Sequence, residues 1–254
     1  MPVFSIIYKT FIDALFPLSG AERELFLLPP KQAYEALPPM QGYQGLAVPL
    51  LNTDSIFAYK DERVAKLIWN IKYKKSSHAV QIGGYALWRE LPKCPKNSLS
   101  APAAPTLEPI INIIIPMPIT NRRRKERGYN QCELLTDEIE RLDTNRQFII
   151  EKNLLVRTHH LDRQTLKGRK DRVESSQGIF GVNEEIVEQL KIMTLKNSEN
   201  INNNQQLIND EVLFKTTPII IIDDVITTGS TMYEAIETLK KVGFENVCGL
   251  SLAH

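Results

Sequence analysis

The chain has 254 residues, 43% of them hydrophobic and 24% charged, with a formal net charge of +1. That balance is ordinary for a soluble globular protein and allows one elaborated domain, or one domain with a small companion. A near-neutral chain carries no global field for nucleic acid or membrane, so any such contact must rest on local basic clusters.

Three scattered cysteines, Cys94, Cys132 and Cys248, show no zinc-ligand spacing, and their odd number argues against a disulfide framework. His159 and His160 are adjacent but lack cysteines nearby, so no zinc site is expected. At the start, Phe4–Phe16 has helical spacing, and Lys9, Asp13 and Pro17 interrupt its apolar character. It fits neither a membrane span nor a signal peptide, so a cytoplasmic protein without membrane insertion is expected.

Residues 17–40 are proline-flanked and amphipathic in pieces, which predicts short helices. Leu46–Tyr59 reads as one or two strands. Asp61–Tyr73 reads as a helix with Val64, Leu67, Ile68 and Ile71 on one face and Asp61 as its cap. Lys72, Lys74 and Lys75 gather at its end, where a solvated cluster suits the helix dipole better than a phosphate contact. Ala79–Leu91 is a second helix, stopped by Pro92. Two low-complexity stretches, about 92–109 and 196–215, read as flexible insertions.

Ile110–Ile115 is a β-branched strand running into Pro116-Met117-Pro118. Five positive charges then fall within Arg122–Arg127. Their place between a core strand and a helix beginning near Tyr129 favours a polyanionic ligand or nucleic acid over a solvated loop. Gln147–Arg157 reads as a third strand. Residues 158–177 are basic and poor in large apolar side chains, so they are either a lid over a site or an exposed connector. A short strand at Phe180–Val182, a helix over Glu184–Met193 and a final strand over Val247–Ala253 complete the alternation. The expected fold is α/β with a mainly parallel sheet and ligands beyond the carboxyl ends of its strands.

The most informative stretch is Pro218–Thr231, PIIIIDDVITTGST. Four isoleucines suit a strand buried on both faces. Asp223 and Asp224 stand at its end, where carboxylates can hold sugar hydroxyls or hydrated magnesium. Thr227, Thr228, Gly229, Ser230 and Thr231 form a small-residue turn into a helix, and such a turn can hold a phosphate.

This stretch resembles the signature of the type I phosphoribosyltransferases, which bind 5-phosphoribosyl-1-pyrophosphate (PRPP). The segment Pro116–Gln131, with Pro116, Pro118, Arg127, Gly128, Tyr129, Asn130 and Gln131, resembles the ComF/GntX branch of that family. Gln164, Arg172 and Phe180 keep the spacing of its second motif, with Arg157 upstream, while Lys167 and Ser175 depart from it. The four amino-terminal cysteines common in that branch are missing.

The resemblance implies an amino-terminal helical segment over 1–45 and a phosphoribosyltransferase-like domain over 46–254. It implies that Asp223 and Asp224 are the catalytic pair facing the ribose. PRPP would be held by Thr227–Thr231, by Pro116, Met117 and Pro118, and by Arg127, with Gln164 and Arg172 on a closing loop. Magnesium would arrive on PRPP, with the two aspartates as further candidate ligands. The implied activity is transfer of phosphoribose to an unidentified acceptor with release of pyrophosphate. A second reading stays open, a non-catalytic protein that binds PRPP or handles single-stranded DNA beside the competence machinery. Only Tyr129 interleaves an aromatic ring with the basic runs, which weakens stacking on DNA.

Overall fold

The computed structural model describes residues 19–40, 52–93, 112–157, 178–201 and 215–254. The Phe4–Phe16 helix, most of the 92–109 insertion and the whole of 158–177 lie outside these residues.

A five-stranded sheet organises the chain. Its strands are β1 (Thr53–Phe57), β2 (Asn112–Pro116), β3 (Phe148–Ile150), β6 (Ile219–Val225) and β7 (Val247–Ala253), in the order β1-β7-β6-β2-β3. Every neighbouring pair is parallel. The central strand shows why an unbroken isoleucine run suits this place. Ile220 and Ile222 join one buried cluster with Leu67, Ile82 and Leu135, while Ile219 and Ile221 join another with Leu190, Leu239 and Phe244. Alternate side chains point to opposite faces, and helices cover both, so no position can be polar. The α/β fold with a mainly parallel sheet is the one expected from the sequence.

On the first face lie the helices Glu62–Trp69, Ser77–Glu90 and Gln131–Leu142. Asp61 caps the first of them, accepting from the backbone N–H groups of Arg63 and Val64. The short helices Gly20–Phe26 and Pro30–Ala36 pack on the same cluster through Leu25 and Ala33. Ser19 and Glu22 form a reciprocal capping box at the start of Gly20–Phe26. No helix among the described residues is long and apolar enough to cross a membrane.

Two expectations are corrected. Gln147–Arg157 is not one strand. After β3 the chain bends at Glu151–Asn153, and β4 (Leu155–Arg157) leaves the main sheet to pair antiparallel with β5 (Phe180–Val182). Leu154 enters the second cluster at the bend, so apolar alternation continues although the direction changes. The basic run forms a helix of its own, Asn121–Arg127, capped by the Thr120 hydroxyl and ended by Gly128. The helix that begins at Glu184 runs to Ile201, past Met193 and into the stretch read as a flexible insertion. Residues 202–214 of that stretch lie outside the described ones.

Candidate functional site

Beyond the carboxyl ends of β2 and β6 lies a cavity of about 540 Å³. Its floor is the end of β6. Asp223 is half-buried and Asp224 almost fully buried, at 3% exposure. The two are held in place by the backbone. The Asp224 N–H donates to Asp223 Oδ1 at 2.8 Å, and the Val225 N–H donates to Asp224 Oδ1 at 2.8 Å. The Cys132 thiol donates to Asp223 Oδ1 at 3.6 Å. Lys72 Nζ lies 3.0 Å from Asp224 Oδ2, yet that oxygen receives no hydrogen bond. It is a buried acceptor with its directional bond still open.

One wall is the turn that follows β6. Thr227, Thr228, Gly229 and Thr231 line the cavity. Gly229 takes φ 82° to start the helix Ser230–Lys241, a conformation that glycine adopts without strain. The helix has no side-chain cap, so its first N–H groups face the cavity end. Ser230 is exposed and does not line the cavity; its hydroxyl sits 3.2 Å from that of Thr228.

The opposite wall comes from the segment after β2. Met117 and Pro118 line the cavity, whereas Pro116 is a buried strand residue in register with Ile222. The Met117 N–H donates to the Ile222 carbonyl at 2.8 Å, which ties this segment to β6. Asn130 locks it from behind, donating to the Met117 carbonyl at 3.0 Å and accepting from the Cys132 N–H at 3.0 Å.

Of the basic run, Arg123 and Arg127 reach the cavity. Arg122 and Arg124 pair instead with Glu126 and Glu133. Arg127 donates to Gln131 Oε1 at 3.0 Å, and its guanidinium lies over the Tyr73 ring. Arg157 completes the cationic side; burial, and then the nearby Arg123, pull its pKa below the usual value. Carboxylates on the floor and arginines above a phosphate turn suit a ligand with hydroxyls at one end and phosphates at the others.

Residues 169–250 match the phosphoribosyl transferase domain family. Over 135 residues the chain is 30% identical to Competence protein F of Haemophilus influenzae, covering 53% of this chain and 46% of that protein. The chain thus spans about half the length of the curated relative that it matches. Residues 169–250 thus resemble the phosphoribosyl transferase domain, and the chain is similar to a ComF protein over about half its length.

The cavity brings together most of the residues named from the sequence. Gln164 and Arg172 lie outside the described residues. Lys72 and Tyr73 were missed, and the solvated reading of Lys72 is corrected. The three lysines at that helix end offered a signal, but ordinary helix geometry does not turn one of them inward. The helix instead widens into a π-turn over Asn70–Lys74. Cys132 was also missed as a site residue because an apolar helix face explains it equally well. Its Sγ and the two carboxylates lie within 4.8 Å of one another. Burial, then the two aspartates, push its pKa well up, so it stays a thiol. The hard oxygen donors are therefore the aspartates, and they fit magnesium.

The acidic pair makes apo stability depend on pH. Burial, and then Asp224, push the Asp223 pKa up to about 7. A carboxyl whose folded pKa is raised stabilises the fold below its ordinary range, and that contribution is lost as pH rises through the raised value. The melting temperature of the free protein is expected to fall between about pH 4 and pH 7. Asp223→Asn should flatten that slope and melt a few degrees above wild type at about pH 8, with no advantage below about pH 4. Parallel melting curves for the two proteins across this range would contradict the assignment.

Proposed function

We propose that this protein binds PRPP with Mg²⁺ and transfers its phosphoribosyl group to an acceptor, releasing pyrophosphate, in the cytoplasm. The observation that carries this reading is the convergence of an acidic pair, a helix-start turn and a three-arginine wall in one cavity. Asp223 and Asp224 would accept from the ribose hydroxyls, Asp224 through Oδ2, which has no hydrogen bond at present. The Thr227–Thr231 turn would take the 5′-phosphate through backbone N–H groups and hydroxyls. Met117, Pro118, Arg123 and Arg127 would face the diphosphate.

Loss of pyrophosphate leaves positive character on the sugar, which the nearby carboxylates stabilise, while arginines stabilise the departing charge. Magnesium, carried on the diphosphate and within reach of the aspartates, supplies further neutralisation of the leaving group. Gln164 and Arg172 would belong to a lid that excludes water.

Calorimetric titration with PRPP and Mg²⁺ tests binding, and labelled PRPP incubated with purines, pyrimidines and other amines tests transfer. Binding without any turnover would favour a non-catalytic PRPP-binding protein. Absence of binding would reject the site.

One observation supports a second reading, the handling of single-stranded DNA. The structure adds Trp69 and Tyr73, 44% and 60% exposed, to the basic segment. Lys74 lies over the Trp69 ring and Arg127 over Tyr73. Stacked rings beside cations suit unpaired bases. A steep salt dependence of oligonucleotide binding, lost in Trp69→Ala with Tyr73→Ala, is the result this reading requires.

A further inference from the structure

On the reading that the acidic pair receives the ribose of PRPP, we propose that Lys72 is the resident counter-ion of that pair. Its ammonium balances Asp224 and keeps bare divalent cations off the two carboxylates, so that metal enters the site with the diphosphate.

The geometry distinguishes a counter-ion from a lock. Lys72 Nζ is 3.0 Å from Asp224 Oδ2, with the side chains 22% and 4% exposed. At that range in a low-dielectric site the attraction is strong. The contact is nevertheless outside hydrogen-bond geometry, because Oδ2 receives no bond. The other oxygen, Oδ1, is taken by the Val225 N–H. The ammonium thus supplies charge without taking up the hydrogen-bonding capacity of this buried oxygen. A divalent ion would need the same oxygen, and would have to approach it beside a positive charge. Arg123, Arg127 and Arg157 on the cavity wall add to that repulsion.

The position of Lys72 is built into the fold. The π-turn Asn70–Lys74 carries buried Ile71 into the core and the next residue, Lys72, to the cavity wall. π-turns have poorer backbone geometry and recur at functional sites. This one is fastened from both sides. Asn70 donates to Glu22 Oε1 at 2.8 Å and to the Lys66 carbonyl at 2.9 Å. The Tyr129 hydroxyl donates to the Ile71 carbonyl at 2.9 Å, which joins the turn to the segment that carries Arg127. Lys75 closes it in the left-handed region at φ 49°. The neighbouring lysines are engaged elsewhere: Lys74 with Glu22 and the Trp69 ring, Lys75 with the Tyr129 ring.

The test uses Mn²⁺ alone on the full chain, without PRPP, and reads bound metal by electron paramagnetic resonance. Lys72→Met is expected to bind Mn²⁺ about tenfold or more tightly than wild type. Lys72→Arg, which keeps the charge, should stay as weak as wild type. Adding Asp224→Asn to Lys72→Met should remove the gain. Lys72→Gln serves where the methionine variant does not fold. Equal Mn²⁺ affinity in wild type and the neutral variants would overturn the proposal, as would a gain that survives Asp224→Asn. The PRPP titration of wild type is a separate arm. Its failure would reject the functional reading, while the Mn²⁺ result would still judge Lys72.

Discussion

Replacing Asp223 and Asp224 together by asparagine is expected to abolish PRPP binding and leave a folded protein. On the proposed reading each carboxylate accepts from a sugar hydroxyl, and a hydrogen bond to a charged group contributes about 1.5–3 kcal/mol. Losing two should weaken binding by more than about a hundredfold, since about 1.4 kcal/mol corresponds to a factor of ten. Asparagine keeps an oxygen at each position, so the bonds from the Asp224 and Val225 N–H groups can persist. The fold meets two opposing effects. Removing the carboxylate pair relieves repulsion that pushes the Asp223 pKa up. It also leaves the Lys72 ammonium without its partner. The two should largely cancel near neutral pH. Calorimetry reads the binding and a thermal melt reads the fold. PRPP affinity unchanged in a well-folded double mutant would remove both aspartates from the site.

The largest effect on stability is expected at Gly84. This residue lies inside the helix Ser77–Glu90, where alanine normally stabilises by up to about 1 kcal/mol through helix propensity. Here the sign should reverse. A Cβ at Gly84 would sit 2.6 Å from Glu138 Cβ, on the helix Gln131–Leu142. Glu138 Cβ is anchored to the backbone and cannot swing aside, so one helix must move. A Cβ on the adjacent Gly83 would meet Leu135 Cδ2 at 2.8 Å, so the two glycines together let these helices pack at close range. Gly84→Ala should cost about 1–3 kcal/mol, as overpacking of a dense core does. Gly84→Val, with a larger side chain at the same contact, should not fold stably. The displaced helix begins with Gln131, which lines the cavity, so Gly84→Ala should also weaken PRPP binding. Urea unfolding measures the first effect. An alanine variant as stable as wild type would show that the helices have slack at this crossing.

The sequence by itself determined the central strand, the acidic pair at its end and the turn into a helix. These are consecutive residues, and local chemistry names them. An unbroken β-branched run has one suitable place in an α/β fold, and glycine among hydroxyl residues before a helix has a narrow set of uses. The caps at Ser19 and Asp61 and the apolar face of Val64, Leu67, Ile68 and Ile71 were legible for the same reason.

The tertiary structure decided what depends on residues distant in the chain. The bend after β3 was hidden because apolar alternation continues while Leu154 changes partners. Which of the five charges in Arg122–Arg127 face the cavity depended on the helix that holds them and on Glu126 and Glu133 as partners. Lys72 and Asp224 stand 152 positions apart, and their ion pair exists because a π-turn departs from the ordinary helical period. Sequence spacing reports direction only while that period holds, so an added residue in one turn moved a lysine from the expected solvated helix end to the wall of the site.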